Sequence, residues 1–254
     1  MSDFWKFLIL IVVSYLLGNV TFARLFAKSR KDDITLHGSG NPGTMNMLRT
    51  YGVVLAILTL VFDALKSVIA CLIGYFWVKY TSTAYAANLA IYICGLACII
   101  GHNYPIVFKF KGGKGVATAL GFACVAKPIL IPLILVVFIT VFAIWRVASV
   151  ASLSAVFSFL IADSIMLLMN GYYSSFIVLV VLVSLIVYAH RSNINRLFAK
   201  KENKIDLYEA VQKDKEYAQA KRERKLQKKN AKQSVEIVED VSKTQTNNEE
   251  KIVE

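Results

Sequence analysis

Two segments of the sequence combine glycines with isolated cations, a pattern that suits phosphate binding. The first, residues 36–49, has three glycines and a proline within 38–43. Glycine lets a ligand approach the backbone closely, and successive N–H groups form a nest for an anion. A helix beginning near Thr44 would point its positive end at the same place, and Ser39 and Arg49 would add side-chain donors. We therefore predict a phosphate site here, although a tight connection between two helices explains the glycines equally well.

The second segment, residues 101–118, places Lys114 between glycines directly before an apolar run that begins at Val116. Backbone amides and a lysine at a helix N-terminus attract phosphate. Lys109 and Lys111 need no ligand to explain them, because cytoplasmic loops of membrane proteins are rich in lysine and arginine. Lys114 is therefore the stronger candidate for substrate contact.

A third polar segment, His190–Leu197, follows the last apolar run. If the helix continues through it, His190 and Asn193 share one face, because residues three apart are neighbours on a helix. This pair could orient a polyol or accept a proton. A histidine at a helix end is more commonly a cap or an interface residue, since cations are favoured at that terminus.

The apolar stretches 53–78 and 147–169 contain three charged residues. Asp63 and Lys66 are about one helical turn apart, and Asp163 stands alone. An ionisable group at the bilayer centre costs about 2.5–3.5 kcal/mol on insertion scales, so such residues pair or face a wet cavity. Both a structural ion pair and a role in a site fit Asp63 and Lys66, whereas Asp163 has no evident partner in the sequence.

The composition excludes a water-soluble enzyme. Of the 254 residues 56% are apolar, and the mean hydropathy is +0.54, values that do not suit a water-exposed surface. Residues 1–189 hold 13 Lys and Arg against 5 Asp and Glu, whereas residues 190–254 hold 16 against 12. The first part is predicted to be a membrane domain and the second a polar tail. The net charge of +12 fits anionic lipid headgroups and phosphorylated ligands, and no nucleic acid is expected as a partner because no binding motif is present.

The four cysteines predict neither a metal site nor disulfides. All lie in apolar stretches, with no CxxC pair and no histidine at metal-ligand spacing. We expect no metal and no cofactor. The cysteines are Cys71, Cys94, Cys98 and Cys124.

Apolar runs near the length of about 20 residues that a helix needs to cross a bilayer occur five times. They are Phe4–Ala27, Val53–Val78, Tyr85–Ile100, Val147–Met169 and Ser174–Ala189. A further run of 30 residues, 116–145, is interrupted at Lys127 and Pro128, where proline removes a backbone N–H and lysine resists burial. Splitting it there gives seven crossings, with a short fourth helix over Val116–Ala126.

Seven crossings place the basic clusters on one side of the membrane. The clusters lie at residues 28–49, at 109–114 and from 191 onward. Because short basic loops face the cytoplasm, the N-terminus is predicted outside, and the C-terminus and all three polar segments inside. A single tilted span over 116–145 would force the tail to the outside.

Together, the three polar segments resemble motifs of the bacterial PlsY family of membrane acyltransferases. Residues 39–49 are similar to the family pattern Ser-Gly-Asn-x-Gly-Ala-Thr-Asn-x-Leu-Arg. Phe110–Thr118 matches Phe-Lys-Gly-Gly-Lys-Gly-Val-Ala-Thr without change. His190–Leu197 matches His-Arg-x-Asn-Ile-x-Arg-Leu, with Glu202 at the family's acidic position. The likeness covers residues 15–202.

This resemblance implies a fold, a reaction and a set of site residues. The fold is an all-α membrane protein with seven transmembrane helices and the N-terminus outside. The reaction transfers an acyl group from acyl-phosphate to the sn-1 hydroxyl of glycerol 3-phosphate at the plasma membrane, as the first step of phospholipid synthesis. The implied catalytic residues are Ser39, Arg49, Lys114, His190 and Asn193. The implied substrate- and phosphate-binding residues are Gly38, Gly40, Asn41, Gly43, Asn46, Gly112, Gly113, Gly115 and Thr118.

The sequence departs from the family pattern at several places. Thr44 and Met45 replace Ala-Thr in the first motif, and Gly18–Thr21 replaces Gly-Ser-x-Pro in the first span. Ser67 and Lys200 stand where the family has glycine. These changes affect the fine geometry of the site more than the reaction.

Two other functions remain open from the residues alone. A carrier of a phosphorylated solute would also place anion sites at helix N-termini beside a broken helix, although no repeat relates the two halves of this chain. An acyltransferase that uses acyl-CoA is less favoured, because no His-x-x-x-x-Asp pattern begins at His37, His102 or His190.

A domain boundary is predicted at residue 202, which gives a membrane domain over 1–202 and a charged cytoplasmic tail over 203–254. The tail is predicted to be a solvated helix to about Lys232 and disordered beyond it. Its basic stretch, Lys221–Lys232, could contact anionic lipid or a soluble enzyme that produces acyl-phosphate, but a solvated charged helix is the simpler explanation.

Overall fold

The computed structural model describes residues 3–223 and 225–227, and their secondary structure is helical. The predicted all-α class is therefore confirmed. The α-helices up to residue 198 are α1 (Asp3–Asn19), α2 (Phe22–Ser29), α3 (Thr44–Tyr51), α4 (Val53–Lys79), α5 (Ala84–Asn103), α6 (Val116–Ala126), α7 (Ile131–Trp145), α8 (Ala148–Met169), α9 (Tyr173–Ala189) and α10 (Arg191–Phe198).

Five helical stretches of the described chain are long and apolar enough to cross a membrane. A sixth is the pair α9 and α10, which is bent by 55°. α6 is apolar but has only 11 residues, so at about 1.5 Å per residue it is too short to cross a hydrocarbon core of about 30 Å without help from its surroundings. The predicted interruption after α6 is confirmed, because the helix ends at Ala126 and a 3-10 turn begins at Pro128.

The first predicted helix, Phe4–Ala27, is not continuous. It breaks after Asn19, and α2 follows as a separate short helix. A buried cation from another helix contacts the backbone at this break. Nζ of Lys66 donates hydrogen bonds to the carbonyl oxygens of Gly18 and Val20, at 3.0 and 2.6 Å.

The bundle is packed around α5, which contacts α1, α4, α6 and α9. Gly18 of α1 and Gly101 of α5 meet so closely that a Cβ on either would overlap the backbone of the other helix. Gly121 of α6 lies in the same way against Ala64 of α4. Small residues permit this close approach of membrane helices, whose association depends on packing contacts.

The ionisable residues inside the bundle have partners. Oδ1 of Asp63 lies 3.0 Å from Nζ of Lys66, so the structural ion pair considered from the sequence is present. The hydroxyl of Tyr92 donates to Oδ2 of Asp163 at 2.8 Å. Tyr92 is the partner that the sequence did not reveal, because the two residues are 71 positions apart.

The chain divides into a unit over residues 1–210 and a unit over 211–254. The first unit ends later than the predicted boundary at 202. Ile205 and Ala210 are 3% and 2% exposed and pack in a cluster with Met47 and Tyr51. Residues 207–223 are helical, while the predicted end of the tail helix near Lys232 and the disorder beyond it lie outside the described residues.

Candidate active site

The turn of the first polar loop depends on two glycines in the left-handed region. Gly38 and Gly40 have φ values of +54° and +70°, which are strained for residues that carry a Cβ. A Cβ at Gly38 would also collide with the side chain of Asn46. The two glycines thus shape the backbone on either side of Ser39.

The side chain of Asn46 holds the first polar loop in its conformation. This side chain is buried, and Nδ2 donates to the carbonyl oxygens of Ile34 and His37 at 3.1 and 3.0 Å. Its Oδ1 accepts a hydrogen bond from the N–H of Ser39 at 2.9 Å. With these bonds made inside the chain, Asn46 organises the backbone that presents Ser39.

The N-terminus of α3 supplies backbone donors. Its N-cap is Gly43, which has no side chain to bond the first amides. In any α-helix the first N–H groups lack acceptors within the helix, and here these belong to Thr44 and Met45. Arg49 lies one to two turns further along the same helix, so α3 contributes both amides and a cation.

The second loop holds Lys114 in place through internal hydrogen bonds. The N–H of Gly112 donates to the carbonyl of Asn103 at 3.1 Å, and that of Gly113 to the carbonyl of His102 at 3.0 Å. A Cβ at Gly113 would run into the imidazole of His102. The amides of Gly112 and Gly113, predicted to bind phosphate, are therefore used within the chain to position Lys114.

The second loop ends at Gly115, the N-cap of α6, with φ +82°. A Cβ there would lie 2.9 Å from Ile99 and 3.0 Å from Asn103, so both the backbone angle and the space require glycine. Thr118, in the first turn of α6, is fully buried. Gly115 directs the chain from Lys114 into the bundle.

The second and third segments meet at a chain of hydrogen bonds. Nζ of Lys114 donates to Oδ1 of Asn193, and Nδ2 of Asn193 donates to Oε1 of Glu202 at 2.5 Å. Arg196 donates to Oε2 of Glu202 at 2.8 Å, and Ser149 of α8 donates to Oε1 at 2.9 Å. Burial raises the pKa of Glu202, but these hydrogen bonds outweigh it and bring that pKa below its ordinary value.

His190 is oriented as a proton acceptor. Its Nδ1 lies 2.8 Å from the carbonyl oxygen of Ile186. A carbonyl can only accept, so Nδ1 carries the proton and Nε2 keeps its lone pair. Burial lowers the pKa of His190 to about 4, the hydrogen bond to Ile186 opposes this shift, and the charge of Lys114 adds to it. The ring is therefore neutral at physiological pH and able to take a proton on Nε2.

A cavity of about 420 Å³ joins the three polar segments. All five residues predicted to be catalytic line it, namely Ser39, Arg49, Lys114, His190 and Asn193. The predicted binding residues Asn41, Gly43, Asn46 and Gly115 line it as well. The remaining predicted residues, Gly38, Gly40, Gly112, Gly113 and Thr118, are not among those that form its wall.

The polar part of this cavity is cationic, with Arg49, Lys114 and Arg196 against the carboxylate of Glu202. Asp63 also lines the cavity, but its carboxylate is paired with Lys66 at 3.0 Å. Burial and, to a smaller extent, the nearby charge of Arg196 lower the pKa of Lys114 to about 8, while the charge of Glu202 opposes this shift. Burial also lowers the pKa of Arg49. Excess positive charge in a half-buried site favours a dianion. In the described part of the chain, no three His, Cys, Asp or Glu side chains are grouped so that they could hold a metal ion.

Comparisons with known proteins agree with this geometry. Residues 8–200 match the family model described as glycerol-3-phosphate acyltransferase. A glycerol-3-phosphate acyltransferase of Finegoldia magna is 34% identical over 199 residues, which are 78% of this chain and 96% of that protein. One of Clostridioides difficile is 36% identical over 204 residues, covering 80% and 97%. The chain belongs to the glycerol-3-phosphate acyltransferase (PlsY) family.

Solved structures of the family have the same architecture. A crystal structure of PlsY, described as an integral membrane glycerol 3-phosphate acyltransferase in its glycerol 3-phosphate form, is 35% identical with a TM-score of 0.69, covering 81% of this chain and 98% of that one. Its lysophosphatidic acid form gives 0.66 at the same identity and coverage. The protein is therefore a multi-pass membrane acyltransferase.

The far end of the cavity is apolar and lies between four helices. Its wall there comes from α6, α7, α8 and α9, and no charged side chain of these stretches contributes to it. Such a groove suits a hydrocarbon chain. The lining residues include Ala123, Ile134, Leu135, Phe138, Val156, Phe159, Leu182, Val183 and Ile186.

Two further residues of the site had weak or no signals in the sequence. Arg196 lies three positions after Asn193, so it shares a face of α10 with it, and this spacing could have marked it. Ser149 reaches the site from α8 although Glu202 is 53 positions away. Only the fold brings Ser149 and Glu202 together.

Proposed function

We propose that the protein transfers a fatty acyl group from acyl-phosphate to the sn-1 hydroxyl of glycerol 3-phosphate, giving lysophosphatidic acid and inorganic phosphate. The observation that carries the proposal is the continuity of a cationic end and an apolar groove in one cavity. The two related PlsY structures are a glycerol 3-phosphate form and a lysophosphatidic acid form. Glycerol 3-phosphate suits the cationic end of such a cavity, and lysophosphatidic acid suits the cationic end together with the apolar groove.

Lys114 and Arg49 bind the two phosphate groups, with the N-terminal amides of α3 as additional donors. The α3 amides take the part that the sequence assigned to Gly112 and Gly113, because those two donate within the chain. Arg196, held by Glu202 at 2.8 Å, adds a third positive charge. Ser39 and Asn193 orient the glycerol hydroxyls.

The chemistry needs no covalent intermediate on the protein. Acyl-phosphate is a mixed anhydride, so the substrate hydroxyl can attack its carbonyl carbon directly. The new ester C–O bond forms as the C–O bond to phosphate breaks, and the leaving phosphate takes the electron pair. The hydroxyl proton passes to Nε2 of His190 or to the departing phosphate. Orientation and charge stabilisation supply the acceleration.

The acyl chain lies in the groove formed by α6, α7, α8 and α9, and the reacting groups lie at the cytoplasmic face of the plasma membrane. Seven crossings with the N-terminus outside place the basic loops on that side. α6 then counts as a short crossing that its neighbours and local bilayer thinning support.

The donor is tested by offering radiolabelled glycerol 3-phosphate with palmitoyl-phosphate or with palmitoyl-CoA to the purified protein. We expect labelled lysophosphatidic acid with palmitoyl-phosphate alone. Product with palmitoyl-CoA alone would overturn the donor assignment. Flux of glycerol 3-phosphate across sealed liposomes without product would replace the proposal with a carrier.

A further inference from the structure

The break between α1 and α2 is not explained by the residues at the break. Val20 and Thr21 separate the two helices, and neither is proline or glycine. β-branched residues reduce helix propensity by less than about 1 kcal/mol each, too little to interrupt an apolar span. Tertiary contacts must therefore hold the break open.

Lys66 supplies those contacts. Its ammonium group has three N–H donors, and it makes hydrogen bonds to three acceptors in addition to its ion pair with Asp63. They are the carbonyl oxygens of Gly18 and Val20, at 3.0 and 2.6 Å, and Nδ1 of His102 at 2.8 Å. Asp63 balances the charge from 3.0 Å away. Because an ammonium cannot accept, Nδ1 of His102 is the acceptor and the ring is neutral with its proton on Nε2.

The same ammonium is connected to the loop that carries Lys114. His102 accepts from the N–H of Gly113 at 3.0 Å through its carbonyl, and its ring fills the space beside the α-carbon of Gly113. Lys114 is the next residue in the chain. The hydrogen bond from Lys66 sets the angle of the ring against which this turn packs.

A second connection runs from the break itself. Oδ1 of Asn19 accepts from the N–H of Ile106 at 2.6 Å, and Arg24 of α2 donates to the carbonyl of Lys111 at 3.2 Å. Asn19 is the last residue of α1, whereas Arg24 lies beyond the break. If α1 continued as a helix through the break, Arg24 would turn away from Lys111. The loop over residues 104–114 is thus attached to the break at one end and to His102 at the other.

We infer that Lys66 is a positioning residue for acyl transfer, because its ammonium group holds the α1–α2 break and the His102 ring in the one arrangement that keeps Lys114 in the cavity. Lys66 itself is not part of the cavity wall. The inference rests on the proposed function, since it assigns Lys66 a part in that reaction. Loss of the ammonium group displaces Lys114 rather than removing it.

Lys66→Met tests this inference, because methionine keeps most of the side-chain length and loses the charge. We expect a higher KM for glycerol 3-phosphate and a kcat/KM lower by about a hundredfold, the scale of a ~1 Å misplacement. Lys66→Met leaves Asp63 buried without its partner, so Asp63→Asn/Lys66→Met, which removes both charges, is the second variant. It should fold and show the same rise in KM. A purely structural role would lower the yield of active protein and leave KM unchanged.

Thr21→Pro provides a rescue. Thr21 is the N-cap of α2 in extended backbone, and proline there cannot continue α1, because it lacks an N–H and its ring clashes with the carbonyl of Leu17. Proline therefore imposes the break without Lys66. We expect Thr21→Pro/Lys66→Met to recover a large part of the lost kcat/KM. No recovery, with Thr21→Pro alone active, would overturn the link between the break and activity.

Hydrogen exchange on the same detergent-purified proteins gives a readout that does not depend on turnover. In the wild type the amides of Ile106, Gly112 and Gly113 are hydrogen-bonded, so the peptide over residues 104–114 should exchange slowly. Lys66→Met should speed this exchange, and Thr21→Pro should slow it again. Unchanged exchange and KM in Lys66→Met and in Asp63→Asn/Lys66→Met would refute the inference. An inactive wild type would refute only the proposed function.

Discussion

Lys114 combines partial burial with positive neighbours, and this makes its charge sensitive to pH. Its pKa is lowered to about 8 by burial, with Arg196 contributing and Glu202 opposing. A group with this pKa is charged below pH 8 and becomes neutral as the pH rises through that value. Phosphate binding requires the charged form.

We predict that kcat/KM for glycerol 3-phosphate is maintained up to about pH 8 and falls above it, since this ratio reports ionisations of the free enzyme. Lys114→Arg should move the decline to higher pH, because a guanidinium stays charged. The measurement is the steady-state rate of wild type and variant from about pH 6 to about pH 10, a range that brackets the pKa of Lys114. A decline at the same pH in both proteins would show that another group is responsible.

His190→Gln should lower kcat by about 10²–10⁴-fold with a smaller change in KM, because a general base acts on the reacting proton rather than on binding. His37→Gln is the matched control. His37 bonds Asp32 at 2.9 Å and is not part of the cavity wall, so its replacement should leave kcat near the wild-type value. Equal kcat in His190→Gln and wild type would assign the proton to the leaving phosphate.

Residue types in the sequence predicted which side chains share the cavity more reliably than they predicted the role of each amide. The five predicted catalytic residues share one cavity, because the fold brings the two glycine-containing loops and the start of α10 together. Gly112 and Gly113 have an internal role, since whether an amide is free depends on what packs beside it, here His102 and Asn103. Which groups pack beside an amide is known only from the three-dimensional structure.

Two glycines with positive φ, one at the start of α6 and one remote from the site, allow the effect of backbone strain to be distinguished from an effect on the site. Gly115 and Gly171 have φ values of +82° and +73°, but only Gly115 borders the cavity. Replacement of either by alanine imposes similar backbone strain, of about 1 kcal/mol. A difference in kinetics between the two alanine variants then reports an effect on the site.

We predict that Gly115→Ala lowers kcat/KM at least about tenfold, because the added Cβ pushes against Ile99 and Asn103 beside Lys114 and small misplacements are costly. Gly171→Ala has nothing within 4 Å of its added Cβ and should keep near-normal kinetics with a similar loss of thermal stability. Rates and melting temperatures of both variants test this. Equal kinetic losses would mean that strain alone controls activity.

The two helix breaks differ in what the sequence shows. The break between α6 and α7 was predicted because Pro128 and Lys127 produce it locally. The break between α1 and α2 was not, because it depends on Lys66, more than 40 residues away. Local chemistry is visible in a sequence, whereas an interruption imposed by another helix is not.

For the molecule as a whole, the site requires three loops that helix packing brings together. Glycine contacts between α1 and α5, and between α4 and α6, set the distances. The sequence predicted the all-helical class and the common face of the loops from apolar runs and charge. It placed the end of the membrane domain at 202, because polar residues near the end conceal the buried Ile205 and Ala210.

Truncation distinguishes the end of the folded unit from the tail. A chain ending at Ala210 should keep wild-type turnover, because the site residues and the cluster around Ile205 are retained. A chain ending at Lys204 loses Ile205, whose burial is worth about 1.5–3 kcal/mol, and its bond to the carbonyl of Arg146 at 2.9 Å. Its melting temperature should fall. Lost turnover in the longer chain would instead give the tail a catalytic role.

The most direct test of the whole account is acyl transfer by purified Lys114→Ala and Arg49→Ala, each compared with wild type and with Lys109→Ala. Lys109 is an exposed cation of the same loop, and its side chain is not part of the cavity wall. With palmitoyl-phosphate and glycerol 3-phosphate, we predict losses of about a hundredfold or more in kcat/KM for the first two variants and near-normal rates for Lys109→Ala. Near-normal turnover in Lys114→Ala and Arg49→Ala would contradict a site built from these two cations.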